Sequence, residues 1–235
     1  MLNCMQKEIT ARKKYLNGEH INSIYFGGGT PSILKPLEIE KLLHAIYDNH
    51  SIEKEIEITL ECNPENLTKS KLLDLRNLGF NRLSVGVQSF LDKDLKFMNR
   101  SHSSLESITN ISKAQTVGFK NIAIDLIYGF PNQSLKDWKY NLNMLKDIGV
   151  QHFSAYALTV EKKTQLSHLI ENGKITSLSD EKIVKQYNHL INFVTKNKFM
   201  VGTLNDSGKQ VTVEGDISAS GQVLIQTIGT GSGEA

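Results

Sequence analysis

The stretch N-S-I-Y-F-G-G-G-T-P-S, residues 22–32, decides how the rest of the chain is read. Ile24, Tyr25 and Phe26 form a short apolar and aromatic run, the pattern of a buried parallel strand. The run stops at Gly27-Gly28-Gly29, followed by Thr30 and Pro31. Three consecutive glycines leave the backbone bare, so a ligand can reach main-chain N–H and C=O groups. A parallel strand that exits into such a turn places it at the C-terminal edge of the sheet, where α/β folds bind their ligands. A glycine-rich turn without a ligand accounts for the stretch equally well when it is taken alone.

The 235 residues suit one large domain, or one domain with an appendage, and a hydrophobic share of 39% is enough to build a core. With 27 basic and 25 acidic residues the net charge is +2, and no like-charge block marks a nucleic-acid-binding tail. No apolar run approaches a membrane span, and residues 1–9 do not read as a secretory signal. Cys4 and Cys62 have neither a disulfide framework nor metal-ligand spacing. The expectation is a cytoplasmic protein with no nucleic-acid partner and no transmembrane segment.

Outward from the glycine stretch, helices and strands alternate. Residues 2 to about 16 carry Met5, Ile9 and Tyr15 among charged residues, which predicts an amphipathic helix closed by Gly18. Residues 36–49 predict a second helix with Pro36 at its start and Ile39, Leu42, Leu43 and Ile46 on one face. Residues 55–61 alternate as a strand, and Thr68 caps a helix that Gly79 ends near Leu78. Residues 82–87 are the next strand. Ser103-x-x-Glu106 and Ser134-x-x-Asp137 open helices that stop at Gly118 and Gly149. Between and after those helices, residues 121–126 and 152–158 read as strands, and a helix follows Ser179 to about Lys198.

One plan recurs around Gly79, Gly118 and Gly149: a helix end, a glycine, an apolar residue, two polar residues and a strand. The intervals of 39 and 31 residues between these glycines match one α/β unit each. The fold class is therefore α/β, a parallel sheet with helices outside it, closed as a barrel or partial barrel. Glu61, Gln88, Asp125 and the Gly27-Gly28-Gly29 turn all fall at strand exits. Each alone is most simply a turn former or cap. As a set they point to a bound ligand, because buried strand ends rarely carry Glu, Gln and Asp otherwise.

Five motifs in order carry a resemblance: I-Y-F-G-G-G-T-P (24–31), E-C-N-P-E (61–65), S-V-G-V-Q-S-F (84–90), N-R-S-H-S (99–103) and D-L-I-Y-G-F-P-N-Q (125–133). Over residues 1–199 the chain resembles the radical S-adenosylmethionine (SAM) family of oxygen-independent coproporphyrinogen III oxidase-like proteins, and most of all their haem chaperone branch. The resemblance implies a partial parallel (β/α) barrel with a SAM pocket at the strand C-terminal ends. It assigns Gly27, Gly28, Gly29 and Thr30 to the SAM methionine amino group, with Glu61 near it. Gln88, Arg100 and Asp125 fall at SAM-contacting positions, Arg100 for the carboxylate and Asp125 for the ribose hydroxyls. That suits a two-pronged guanidinium and an acceptor carboxylate. Tyr156 and Ala157 would line the same pocket.

The sequence also departs from the family. The Cys-x3-Cys-x2-Cys triad that holds the family's 4Fe-4S cluster is absent, together with the first barrel strand and the cluster loop. Cys4 and Cys62 cannot replace three thiolates, so the chain is expected to hold no cluster, to supply no metal ligand and to cleave no SAM. No residue is assigned a catalytic role. Residues 200–235, rich in Gly, Ser and Thr, resemble nothing in the family and read as a hairpin or a disordered tail. Three readings follow: a haem chaperone that binds and transfers haem, a fragment of a true porphyrinogen-decarboxylating oxidase, or an inactive truncated remnant. Haem or a porphyrinogen is then the partner beside SAM, with His102 and His152 as candidate axial ligands that are each more simply structural.

Overall fold

Apolar runs form the strands of this protein, and amphipathic segments form its helices. The computed structural model describes residues 1–204, 210–212 and 221–226. In chain order the elements begin α1 (Leu2–Ala11), β1 (Ile21–Phe26), α2 (Pro36–Asn49), β2 (Ile52–Cys62), α3 (Lys69–Asn77) and β3 (Arg82–Gln88). They continue α4 (Asp92–Phe97), α5 (Ser104–Thr116), β4 (Asn121–Tyr128), α6 (Leu135–Ile148) and β5 (His152–Ala157). The last are α7 (Gln165–Glu171), α8 (Asp180–Lys196), β6 (Phe199–Leu204), β7 (Gln210–Thr212) and β8 (Gly221–Gln226). Strands β1 to β5 follow one another in sequence order across the sheet. The fold is α/β, a partial parallel (β/α) barrel.

Contacts divide the chain into two units, Met1–Gly86 with Ile108–Ile122, and Val87–Ser107 with Ala123–Ala235. In the first, β1 pairs parallel with β2 (Phe26 opposite Leu60), and β2 pairs with β3 (Glu61 opposite Ser84). Ile39, Leu42 and Leu43 of α2, Leu72 and Leu75 of α3, and Ile58 and Leu60 of β2 form its core. Phe26 meets Phe80 at 5.4 Å, and Arg76 stacks over Phe119 at 5.2 Å while its Nη1 donates to Phe80 O.

In the second unit β4 pairs parallel with β5, with Asp125 opposite Ser154. Trp138 of α6 is fully buried 5.1 Å from the Tyr128 ring, and its Nε1 donates to Gln186 O of α8. Burial, together with the nearby Tyr187, pushes the Tyr128 hydroxyl pKa up to about 12. β8 pairs parallel with β5 and with β6, and β6 pairs antiparallel with β7. The expectation of a hairpin or disorder over residues 200–235 falls in part on 205–209, 213–220 and 227–235, which lie outside the described residues.

The helix ends follow the sequence closely. Thr68 Oγ1 accepts from Lys71 N, and Ser134 and Asp137 form the reciprocal cap of α6. After α3, α5 and α6 the residues Gly79, Gly118 and Gly149 take φ of +92°, +103° and +73°. The next amides reach back five residues, Phe80 to Leu75 O, Phe119 to Ala114 O and Val150 to Leu145 O. All three ends are Schellman turns, which return orphan carbonyls to hydrogen bonding.

Three local expectations need correction. The first helix stops at Ala11, not near residue 16, and buries no residue. Helices of this length owe most of their stability to packing an apolar face, and residues 12–17 bring only Tyr15 and Leu16. β2 starts three residues before the expected Glu55, because Ile52 already pairs with Ile21 of β1, although Lys54 breaks the apolar-polar alternation there. The short helices α4 and α7 were not expected, since six and seven residues give under two turns of periodicity.

Candidate functional site

β1 delivers the first group of candidate residues. Gly28 and Gly29 take φ of +77° and +64°, a region that an L side chain enters only at a cost. A Cβ on either would meet nothing within 4 Å, so the space over these two glycines is open. Gly27 is bare for a different reason. A Cβ there would sit 2.6 Å from Tyr25 Cε1 and 2.9 Å from Glu61 Oε1.

Glu61 ties the turn from β2. Its Oε2 accepts from Gly28 N at 2.9 Å, and its Oε1 accepts from the Tyr25 hydroxyl at 2.7 Å. Parallel register accounts for this: Phe26 stands opposite Leu60, so Glu61 projects one residue beyond the end of β1. A carboxylate has about four lone-pair sites, so Glu61 keeps capacity for an ammonium donor. Behind the turn, Thr30 O accepts from Ile33 N, Ser32 Oγ donates to Asn66 Oδ1, and Lys71 Nζ donates to Leu34 O. Gly27, Gly28, Gly29, Thr30 and Glu61 are thus one built group.

Gln88, Arg100 and Asp125 belong to the second unit, and all three are half-buried. Gln88 ends β3 with φ of +68°, and Ser89 N donates to Val87 O at 2.8 Å. An i to i+2 bond across a positive φ is a γ-turn of the rarer, strained hand. Arg100 follows α4 through a Schellman turn built on Asn99, φ +53°, with Arg100 N donating to Leu95 O. Asp125 lies within β4. Tyr156 and Ala157 close β5 and are half-buried.

The candidate haem ligands sit differently. His102 is 3% exposed with Nε2 3.2 Å from Val87 O, so that nitrogen is engaged by the β3 backbone. His152 is half-buried at the start of β5. Sequence reasoning missed the partners of these groups: Tyr25 as an anchor for Glu61, and Ser89, Asp94 and Asn141 beneath Gln88. A signal for Asn141 existed, since it lies three residues after Trp138 and four before Leu145, on the apolar face of α6.

Cys4 is exposed on α1 and Cys62 is buried, with Sγ 3.4 Å from Ser84 O. Among the described residues no three His, Cys, Asp or Glu side chains stand together as a metal site. An iron–sulfur cluster needs more thiolates than these two separated ones, so the residues present do not fit that group. The bare turn with its anchored carboxylate does fit an amino-acid-like cofactor. Among the described residues no helix is long and apolar enough to cross a membrane.

The description of the radical SAM superfamily matches residues 6–145. The chain belongs to that superfamily. It is 35% identical over 181 residues to radical S-adenosyl methionine domain-containing protein 1, mitochondrial, of Danio rerio, covering 77% of this chain and 41% of that protein. It is 32% identical over 187 residues to the haem chaperone HemW of Bacillus subtilis, covering 79% and 49%. Coproporphyrinogen III oxidase HemN of Escherichia coli, a radical SAM enzyme, shares the fold with a TM-score of 0.77 at 24% identity, over 96% of this chain and 55% of that one. The chain spans about half the length of the curated relatives it matches. HemW-type proteins are thus among its relatives, and HemN shares its fold.

Proposed function

We propose that this chain is the SAM-binding part of a HemW-like haem chaperone. The observation that carries the reading is the Gly28 N–Glu61–Tyr25 arrangement at the exit of β1. There the turn offers backbone carbonyls to the methionine ammonium, and Glu61 adds a negative charge beside it. The resemblance further assigns Gln88 to SAM, Arg100 to its carboxylate and Asp125 to its ribose hydroxyls. A guanidinium matches a carboxylate with two parallel hydrogen bonds, and a carboxylate accepts from vicinal hydroxyls. SAM, when bound, supplies an activated sulfonium. The chain's own residues bind and orient it, and no step is routed through a cluster.

The haem part of the proposal rests on the likeness to HemW. Haem binding and its transfer to an acceptor are proposed for the protein of which this chain is at least a part. The likeness to HemN, below 25% identity, supports the fold and leaves porphyrinogen decarboxylation as the second reading. A cytoplasmic location belongs to the same proposal, whereas the names of two relatives, from Danio rerio and Mus musculus, place those proteins in mitochondria.

Calorimetric titration of the chain with SAM tests the first part, beside Gly28→Val and Glu61→Gln. Saturable binding to the parent, weakened about tenfold or more in both variants, supports the turn as the ammonium site; tenfold is about 1.4 kcal/mol. Equal affinity in all three proteins rejects it. A Soret shift on adding haem, with His152→Ala as the comparison, tests the second part.

A further inference from the structure

β3 ends in a strained turn, and a buried polar cluster is wrapped around it. Gln88 is not glycine, yet it holds φ of +68° while Ser89 N closes on Val87 O. Backbone of this kind persists only where its surroundings over-determine it, and it gathers at ligand sites. Ser89 Oγ is the centre of those surroundings. It donates to Asp94 Oδ2 at 2.8 Å, and it accepts from Leu91 N at 3.2 Å and Asn141 Nδ2 at 3.1 Å. Asn141 Oδ1 accepts from Phe90 N at 2.6 Å. Ser89 and Phe90 are therefore held by side chains from α4 and α6, and Leu91 by the hydroxyl of Ser89 itself.

The cluster extends further. Asp94 Oδ2 also accepts from Gln133 Nε2 at 3.4 Å, and Gly129 N donates to both Gln133 Oε1 and Gln186 Oε1, at 2.9 Å and 3.0 Å. Ser89 and Asn141 are 0% exposed and Asp94 is 5% exposed. Burying a carboxylate and two polar side chains among Phe90, Trp138 and Leu142 gains little over apolar packing of the same volume. What it supplies is direction: the bonds at Ser89 Oγ, Phe90 N and Leu91 N each fix one atom of the chain just past Gln88.

We infer that Ser89, Asp94 and Asn141 are positioning residues that hold Gln88 in its γ-turn, so that its side chain is set before a ligand arrives. The ligand's identity as SAM rests on the proposed function; the imposed turn does not. Gln88 is the contact residue, and the three others act through it.

Two double-mutant cycles test the inference separately. The first needs no ligand. Gln88→Gly and Gln88→Ala are compared by thermal unfolding in the parent chain and in Ser89→Ala. Glycine tolerates positive φ, so in the parent the Gly variant is expected to melt about 2–4 °C above the Ala variant, the shift typical of a domain this size. In Ser89→Ala the turn is released and the gap closes. An equal gap in both backgrounds overturns the inference and makes the cluster an ordinary piece of core.

The second cycle reads SAM affinity by calorimetry. Ser89→Ala is expected to weaken SAM about tenfold in the parent and less than twofold when Gln88 is already Ala, the non-additivity of residues acting as one. Equal losses in both backgrounds overturn the positioning role. If Ser89→Ala does not fold, the near-isosteric Asp94→Asn takes its place in both cycles. A parent chain that binds no SAM rejects the ligand reading alone, and the first cycle still decides the turn.

Discussion

The turns after β1 and β3 both leave the sheet through positive φ, and they reach it by opposite means. After β1 the chain uses Gly28 and Gly29, whose backbone enters that region freely, and one carboxylate, Glu61, holds it from a half-exposed position. After β3 it uses Gln88, which enters at a cost, and a fully buried cluster of Ser89 and Asn141 opposes that cost. The first turn leaves backbone for a ligand to touch. The second keeps a side chain, the proposed ligand contact, and moves the support inward. A site can thus be prepared by removing side chains or by constraining one.

The largest effect should come from the buried support. Asn141→Ala strips Phe90 N of its acceptor and opens a small void, and it should cost about 3 kcal/mol in urea unfolding. A loss below about 1 kcal/mol would mean that water replaces the amide and that the second turn is no better held than the first. Next comes the glycine turn. Gly28→Ala places a side chain at φ +77° with open space around it, so conformational strain alone should cost about 1–2 kcal/mol. A neutral result would show that this turn relaxes easily and would sharpen the contrast with Gln88.

Acidification should separate the two turns as well. Burial pushes the Asp94 carboxyl above its ordinary range, against the hydrogen bonds from Ser89 and Gln133. The folded state therefore holds this proton more tightly than the unfolded one, so the charged form penalises folding above the raised value. Stability should rise through this group as pH falls from that value towards the ordinary carboxylate range, near 3.9. Asp137 works in the opposite sense. Burial raises it, but hydrogen bonds from Lys93 and Ser134 outweigh that and hold it low, so its contribution is lost as pH falls through its folded value. Urea midpoints of the parent and Asp94→Asn, followed from neutral to acid pH, isolate the first effect. The parent should gain on the variant, and a relative loss would reverse the assignment. Tyr25→Phe should have the smallest effect on stability, below about 1 kcal/mol, because the residue is 55% exposed. A larger loss would show that the first turn also depends on a supporting network.

What the sequence disclosed followed the range of the interactions. The bounds of α2 and α6 could be read because Pro36, the Ser134–Asp137 cap and Gly149 act within a few residues. The strand alternation gave the α/β class, and the glycine run gave the first turn. The extent of α1 could not be read, because it depends on how little of that helix finds a packing partner. The second turn was hidden for a different reason: Ser89 and Asn141 lie 52 residues apart, and neither looks unusual beside its neighbours. Glu61 stood out as a charged residue at a strand end, but its anchor Tyr25, 36 residues earlier, looked like one more aromatic in a strand.

The Schellman turns at Gly79, Gly118 and Gly149 have a consequence for which side of each strand a residue occupies. Every following strand begins three residues after its glycine, and burial runs half-buried, buried, buried, buried, half-buried in β3, β4 and β5 alike. Gly86, Asp125 and Tyr156 are therefore equivalent places, each seven residues past its glycine. Side chains alternate between faces with period two, so a single residue inserted between Gly118 and Asn121 would turn Asp125 over and trade Ile124 for it. The helix end thus sets the phase of the strand that follows, and with it which residues the sheet can offer to a ligand.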